Sequence, residues 1–412
     1  MMIWLFQFEL KKFWTSIIVK LFIALFFLAV LAYYAYVHTQ TIRVQDVMIE
    51  INESKMRTEN QLSMIEDQES EEALFLLSMI DKDDAVLKAY EEERWYDVLA
   101  YEVELYQEEF NALIAQKQYY TVSFPTLFTM ETRNAYFEYM QQQHITPVLP
   151  VHLYAWKTQY DELFPINDSG DDPFFRQFVE KQSTLSSSTS VYFLYQLSKV
   201  VFSPFGVLFF LLLFSDIVTK EGLYTKGSIQ LLRTQPLQHW KIPTVKMLVM
   251  MGVSLCLLMA TTLLGVLLGI VFDRVGDWDY PVLIYGEAYA YTFIPMWHYL
   301  LKSILLFGAL LLFSYSLLFM FSYMTKQMIT AIGLTVATFA IGIMLSQQII
   351  STSIGPYLPF HYASIDSIMT MSYAIHAEDM RYSFRTGGVV LLVASCCMLI
   401  SIGIIQKVNR QS

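Results

Sequence analysis

Six long apolar runs decide what this chain can fold into. Met247–Phe272, Ser303–Met324, Met328–Ile354 and Gly387–Ile405 contain no charged residue, while Trp14–Val37 and Val191–Phe214 carry one lysine each, Lys20 and Lys199. A helix rises about 1.5 Å per residue, so about 20 apolar residues cross the hydrocarbon core of a bilayer. Every run is of that order, and six of them exceed what the core of one soluble domain can bury. The two lysines lie nearer one end of their runs, where the aliphatic stem stays in the apolar zone and the ammonium reaches a headgroup. The first run is expected to persist, because it is longer than a cleavable leader and Tyr33–Tyr36 stands where small residues would mark cleavage.

With six spans both termini lie on one side, and charge says which. That side holds ten basic residues (Lys11, Lys12, Lys220, Lys226, Arg233, Lys241, Lys246, Lys326, Lys407 and Arg410) against the acids Glu9, Asp216 and Glu221. The short loops opposite carry Arg274, Lys302, Arg381 and Arg385 against seven acids. The excess of Lys and Arg places both termini in the cytoplasm. Residues 38–190 then face outward, with 11 basic and 28 acidic residues. That acidity argues against a nucleic-acid partner and reads as a solvated surface.

The segments follow in order. Residues 1–13, MMIWLFQFELKKF, read as an interfacial helix on the inner leaflet, and 14–37 as the first span. Residues 38–190 form the extracytoplasmic domain, 191–214 the second span, and 215–246 a cytoplasmic loop. Residues 247–406 hold spans three to six, and 407–412 are a cytoplasmic tail. From Val44 to Gln118 there is neither proline nor glycine, and apolar residues recur at helical steps such as Leu74, Leu77 and Ile80. The DKDD run at 81–84 is expected to end one helix and begin another. Prolines punctuate the chain after Tyr119, and aromatic residues crowd there, including Phe124, Phe128, Tyr136, Phe137, Tyr139 and Tyr154. They are expected to be core, with a ligand groove as the other reading. The fold class is mainly α: a polytopic membrane protein with six transmembrane helices and a large, mostly helical extracytoplasmic domain between helices one and two.

Catalytic patterns are missing from the sequence. GLYTKGS at 222–228 has the wrong order and spacing for a phosphate loop, and there is no GxSxG elbow, HExxH pair or CxxC pair. NDSGDD at 167–172 reads as a turn, since it lacks the spaced ligands and closing glutamate of a calcium loop. The histidines are scattered; His144 and His152 are separated by two prolines, and His361 near Asp366 suits interfacial hydrogen bonding. Cys256, Cys396 and Cys397 all fall inside spans, so no disulfide framework holds the outer domain.

Four features together resemble the permease subunits of bacterial ABC transporters of the type-2 exporter-like family. They are the Glu9-Leu10-Lys11-Lys12 helix before the first span; the insertion between spans one and two; Asp216, KEG at 220–222, LLRTQP at 231–236 and Lys246; and GPYLPFHYASIDSIMT before span six. The resemblance covers both termini and spans two to six, and Lys226-Gly227-Ser228 only approximates the family's Gly-Thr/Ser step. It implies a non-catalytic permease of the bacterial plasma membrane that exports a substrate. ATP and magnesium belong to a separate cytoplasmic ATPase, with no cofactor on this chain, and a second permease copy or a paired permease completes the pathway. It further implies that Glu221, Gly227, Leu231, Leu232, Pro236 and Lys246 couple the permease to the ATPase, and that the segment before span six forms short helices dipping into the outer leaflet. Two other readings stay open: a membrane-anchored receptor sensing a peptide or lipid, and an ion-coupled carrier, which the scarcity of ionisable residues in the spans disfavours.

Overall fold

The computed structural model describes residues 2–65, 70–101, 103–104, 126–148, 157–163, 177, 181, 186–219, 241–325 and 327–408. Helix α1 (Met2–Thr15) places Leu5, Glu9 and Phe13 four residues apart on one face and buries them, leaving Ile3, Trp4 and Trp14 exposed. The chain turns at Ser16 into α2 (Ile17–Gln40), whose Leu21, Leu25 and Leu28 are exposed along its length. An apolar exposed face is what a lipid-facing helix requires.

Beyond α2 the inter-span region begins with a hairpin of α3 (Val44–Ser63) and α4 (Glu71–Glu91), closed over Val47, Ala73, Val86 and Tyr90. The DKDD run does not end a helix; it lies inside α4. The helix starts at Ser70, whose hydroxyl accepts from Ala73 N–H at 3.2 Å, with Glu71 and Glu72 at the positive end of the helix dipole. Lys55 of α3 reaches Asp84 at 2.6 Å, so the acids expected to break the helix instead face a cation across the hairpin. The expected turn at 167–172 lies outside the described residues.

Further along, α5 (Leu127–Gln142) and the short α6 (Gln159–Leu163) are tied by buried Asp161. Its carboxylate accepts from Thr126 N–H at 2.7 Å, Thr129 Oγ1 at 2.5 Å and Thr158 N–H at 2.7 Å. Helix α5 packs on a two-stranded antiparallel hairpin not expected from the sequence, β1 (Pro281–Tyr285) and β2 (Tyr291–Pro295), paired from Pro281↔Pro295 to Tyr285↔Tyr291. Phe128 meets Tyr285 and Tyr291, while Tyr136 and Tyr139 meet Phe293. The described aromatic residues of this stretch are therefore core, and their partner surface comes from a distant loop. Burial pushes the Tyr285 phenol well above its ordinary pKa, and its oxygen accepts from Gln159 N–H at 3.0 Å.

Among the described residues five helices are long and apolar enough to cross a membrane, or six if one bent pair is a single span. The five include α2, α9 (Lys241–Phe272), α10 (Met296–Thr325), α11 (Met328–Gln348) and α14 (Phe384–Val408). The pair is α7 (Ser190–Val201) and α8 (Pro204–Thr219), bent by 70°. The continuous helix expected over 191–214 is thus two helices with a sharp bend between them. Pro204 lacks an N–H and disfavours helical geometry at Ser203, and proline suits the first position of a new helix. The freed backbone groups are met locally: Ser203 Oγ donates to Val200 O at 2.6 Å and accepts from Phe205 N–H at 3.3 Å. Gly206 lies so close beneath the break that a Cβ there would sit 1.8 Å from Val201 O.

Helix α11 ends at Gln348, short of the Ile354 expected for the fifth span. The connection to α14 folds back into the bundle as two 3-10 turns (Gly355–Tyr357 and Pro359–Ala363) followed by α12 (Ile365–Met369) and α13 (Ser372–His376). Phe360 is held between Phe313 and Phe339, at 5.6 and 5.7 Å between ring centroids. It lies over Gly342, where a Cβ would be 2.6 Å from the ring. Tyr285 N–H bonds Thr370 O at 2.9 Å, which fastens this tucked segment to the β-hairpin.

Because the obstacle at Gly206 is backbone rather than a flexible side chain, Gly206→Ala is expected to destabilise the protein by about 1–3 kcal/mol. Gly252→Ala, with nothing within 4 Å of its Cβ, serves as a neutral control. Thermal denaturation of the two variants in lipid nanodiscs checks this.

Candidate functional site

Of the residues expected to couple the chain to an ATPase, Glu221, Gly227, Leu231, Leu232 and Pro236 lie outside the described residues. Lys246 is described. It sits in the second turn of α9 and is 3% exposed. The helices on either side of that segment define what any force applied to it would meet.

Helix α1 packs on α9, and buried Glu9 and Lys246 belong to these two facing helices. Each has an interaction partner. A buried charge is tolerated only when compensated, so both mark a constrained junction. From α1 a continuous chain of contacts crosses the bundle. The Phe13 ring stacks on Phe214 of α8 at 5.4 Å, and Phe214 meets Tyr315 of α10 edge-on at 5.6 Å. The Tyr315 hydroxyl and Ser254 Oγ of α9 are hydrogen-bonded at 2.7 Å. Four helices are thereby linked at the end of α8 from which residues 220–240 depart. The sequence reading passed over these residues. A tyrosine and a serine within otherwise apolar runs are the signal that marks Tyr315 and Ser254, but their pairing is tertiary.

Toward the other end, α7 carries Lys199 just before the break. Its ammonium lies 4.1 Å from the Tyr195 ring centroid and 3.9 Å from Asp366 of α12. The Tyr299 hydroxyl of α10 donates to the second Asp366 oxygen at 2.7 Å, and the Tyr195 and Tyr299 rings stand 5.3 Å apart. The sequence had Lys199 reaching a headgroup; it is instead held by an acid of the tucked segment. His361, expected near Asp366, bonds the Tyr373 hydroxyl through Nδ1 at 2.5 Å. On the neighbouring face of α7 an apolar cleft opens toward α9 and α10, lined by Leu194, Leu197, Val201, Leu258 and Leu300. The hydroxyls beside it, Ser198, Thr261 and Thr262, are satisfied by carbonyls of their own helices. The cleft therefore offers mainly van der Waals contact, with no hydroxyl proton left uncommitted among these three.

The family model for the ABC-2 family transporter protein matches residues 3–405, nearly the whole chain. The chain belongs to the ABC-2 transporter family. No curated protein and no solved structure matches it. It is accordingly a multi-pass membrane permease subunit without catalytic chemistry of its own, and ABC-2 permeases work with ABC ATPase subunits that hydrolyse the nucleotide. Permeases of this family typically bind no cofactor themselves. Among the described residues no cluster of three or more metal-ligating side chains occurs.

The Ser254–Tyr315 bond is expected to contribute about 0.6–1.7 kcal/mol, the range for hydrogen bonds between membrane helices. A double-mutant cycle of Ser254→Ala and Tyr315→Phe, read by unfolding in bicelles, measures it. Phe13→Ala is expected to free α1, and trypsin added to the detergent-solubilised protein should then cleave after Lys11 severalfold faster than in the parent protein.

Proposed function

We propose that this ABC-2 permease exports its substrate from the cytoplasm, driven by an ATPase that docks on residues 215–246. Both termini are cytoplasmic and residues 38–190 are extracytoplasmic, as the distribution of Lys and Arg supports. A second permease copy, or a paired permease, supplies the other wall of the pathway. Glu221, Gly227, Leu231, Leu232 and Pro236 form the surface the ATPase engages, and Lys246 anchors its exit into α9.

The observation that carries this reading is the linked set Phe13–Phe214–Tyr315–Ser254, which joins four helices where α8 runs out toward the docking segment. A push on residues 215–246 is conveyed to α8 on one side and α9 on the other, and neither can move without α1 and α10. Packed interfaces of this kind switch between discrete arrangements rather than deforming smoothly. The bend between α7 and α8 gives the second span a joint about which its two halves can reorient.

Affinity purification of the tagged full chain from its native host is expected to recover an ATPase bearing the GxxxxGK[ST] phosphate loop. Deleting residues 220–240 should abolish recovery, and combined Glu221→Ala and Leu231→Ala should reduce it at least tenfold. Undiminished recovery from the deletion variant would refute docking at this loop.

A further inference from the structure

We infer that Lys199 and Asp366 form a latch that holds the tucked segment between α11 and α14 against the broken second span, and so keeps the cleft between α7, α9 and α10 closed to water. They are positioning residues for transport. The inference rests on the transporter reading only in taking the opened latch as the outer gate.

An ionisable side chain on a spanning helix, such as Lys199, is costly and is retained where it does something. Here the pair runs from a helix of the bent pair to the tucked segment. It joins three elements at one point: Lys199 from α7, Asp366 from α12, and α10 through the Tyr299 hydroxyl. The tyrosines around Lys199 complete its surroundings. Tyr195 lies under the ammonium, and the Tyr192 and Tyr299 rings stand 5.9 and 5.3 Å from the Tyr195 ring. At 3.9 Å, with both side chains partly accessible, the pair is a contact that can open without unfolding its neighbours.

The surroundings fit movement on one side of the contact and rigidity on the other. Lys199 lies within five residues of Pro204, at the end of α7 that adjoins the 70° bend. Leu194, Leu197 and Val201 of the same helix line the apolar cleft, so displacement of α7 changes the cleft's wall directly. Asp366, by contrast, belongs to a segment bolted in place. Phe360 is wedged over Gly342, Tyr362 donates to Pro356 O at 2.7 Å, Tyr382 donates to Ile350 O at 2.8 Å, and Thr370 O is tied to β1. The latch therefore joins a jointed element to a fixed one. It lies toward the end of the bundle that carries the β-hairpin and α5, which is the exit side in the export reading.

The test uses the full chain in whole cells, with Cys256, Cys396 and Cys397 replaced by serine and one thiol introduced by Thr261→Cys in the cleft wall. The probe is a membrane-impermeant maleimide added outside, and surface expression is checked by immunoblot. Labelling is expected to be slow in this background, at least fivefold faster with Lys199→Gln or Asp366→Asn, and slow again in the charge-swapped pair Lys199→Asp with Asp366→Lys. Lys199→Arg, which keeps the charge, should also label slowly. Equal rates in all variants, or fast labelling in inserted protein that neither the swap nor the arginine reverses, would overturn the latch. No ATPase is required, so failure here is distinct from failure of the loop-docking experiment.

Discussion

Inside a bilayer every backbone N–H and C=O must find its partner within the protein, and the rest of this structure depends on that requirement. It forces the apolar runs into helices, and it makes any interruption of a span demanding. One candidate span is nonetheless interrupted, between Val201 and Pro204. It is tolerated because Ser203 serves both sides of the break and because Gly206 lets the backbone of Val201 approach where a Cβ would stand. A device so specific gives the second span two halves that can point in different directions.

The two halves are tied to different things. Helix α8 is locked by Phe214 to the N-terminal helix and to α10, beside the segment that leads to the ATPase in the proposed reading. Helix α7 is held by Lys199 to Asp366 on the tucked segment, which in turn is fastened to the β-hairpin and α6 region. The hairpin receives α5, so the large inter-span region and the bundle share one aromatic interface. An input at one end of span two is thereby connected to a contact at the other, with a bend between them. In that scheme the inter-span region braces the fixed side of the latch.

Much of this architecture was legible in the sequence because it depends on local composition. Runs of about 20 apolar residues announce spanning helices wherever they occur, and the proline-free, glycine-free stretch after Val44 announced helices between the first two spans. What was missed depends on contacts between residues far apart in the chain. Ser203, Pro204 and Gly206 were visible, but the apolar character around them favoured one continuous helix. The DKDD run looked like a stop because its partner, Lys55, lies on another helix. The strands at 281–295 are short, and their aromatic residues make sense only against α5. Lys199 resembled a snorkelling lysine until Asp366, in the connection before the last span, was found beside it.

In the proposed mechanism, motion at the ATPase end reaches the bent α7–α8 pair through Phe214. Spin labels at Val200 and Leu305, both exposed positions on α7 and α10, report it by pulsed electron resonance in membranes containing the permease and its ATPase. Trapping with ATP and vanadate should change their separation by several ångströms, a displacement typical of helix shifts at switching interfaces, and Phe214→Ala should remove the change while ATP hydrolysis continues. A change that persists undiminished in Phe214→Ala, or none in the parent protein, would contradict the claim.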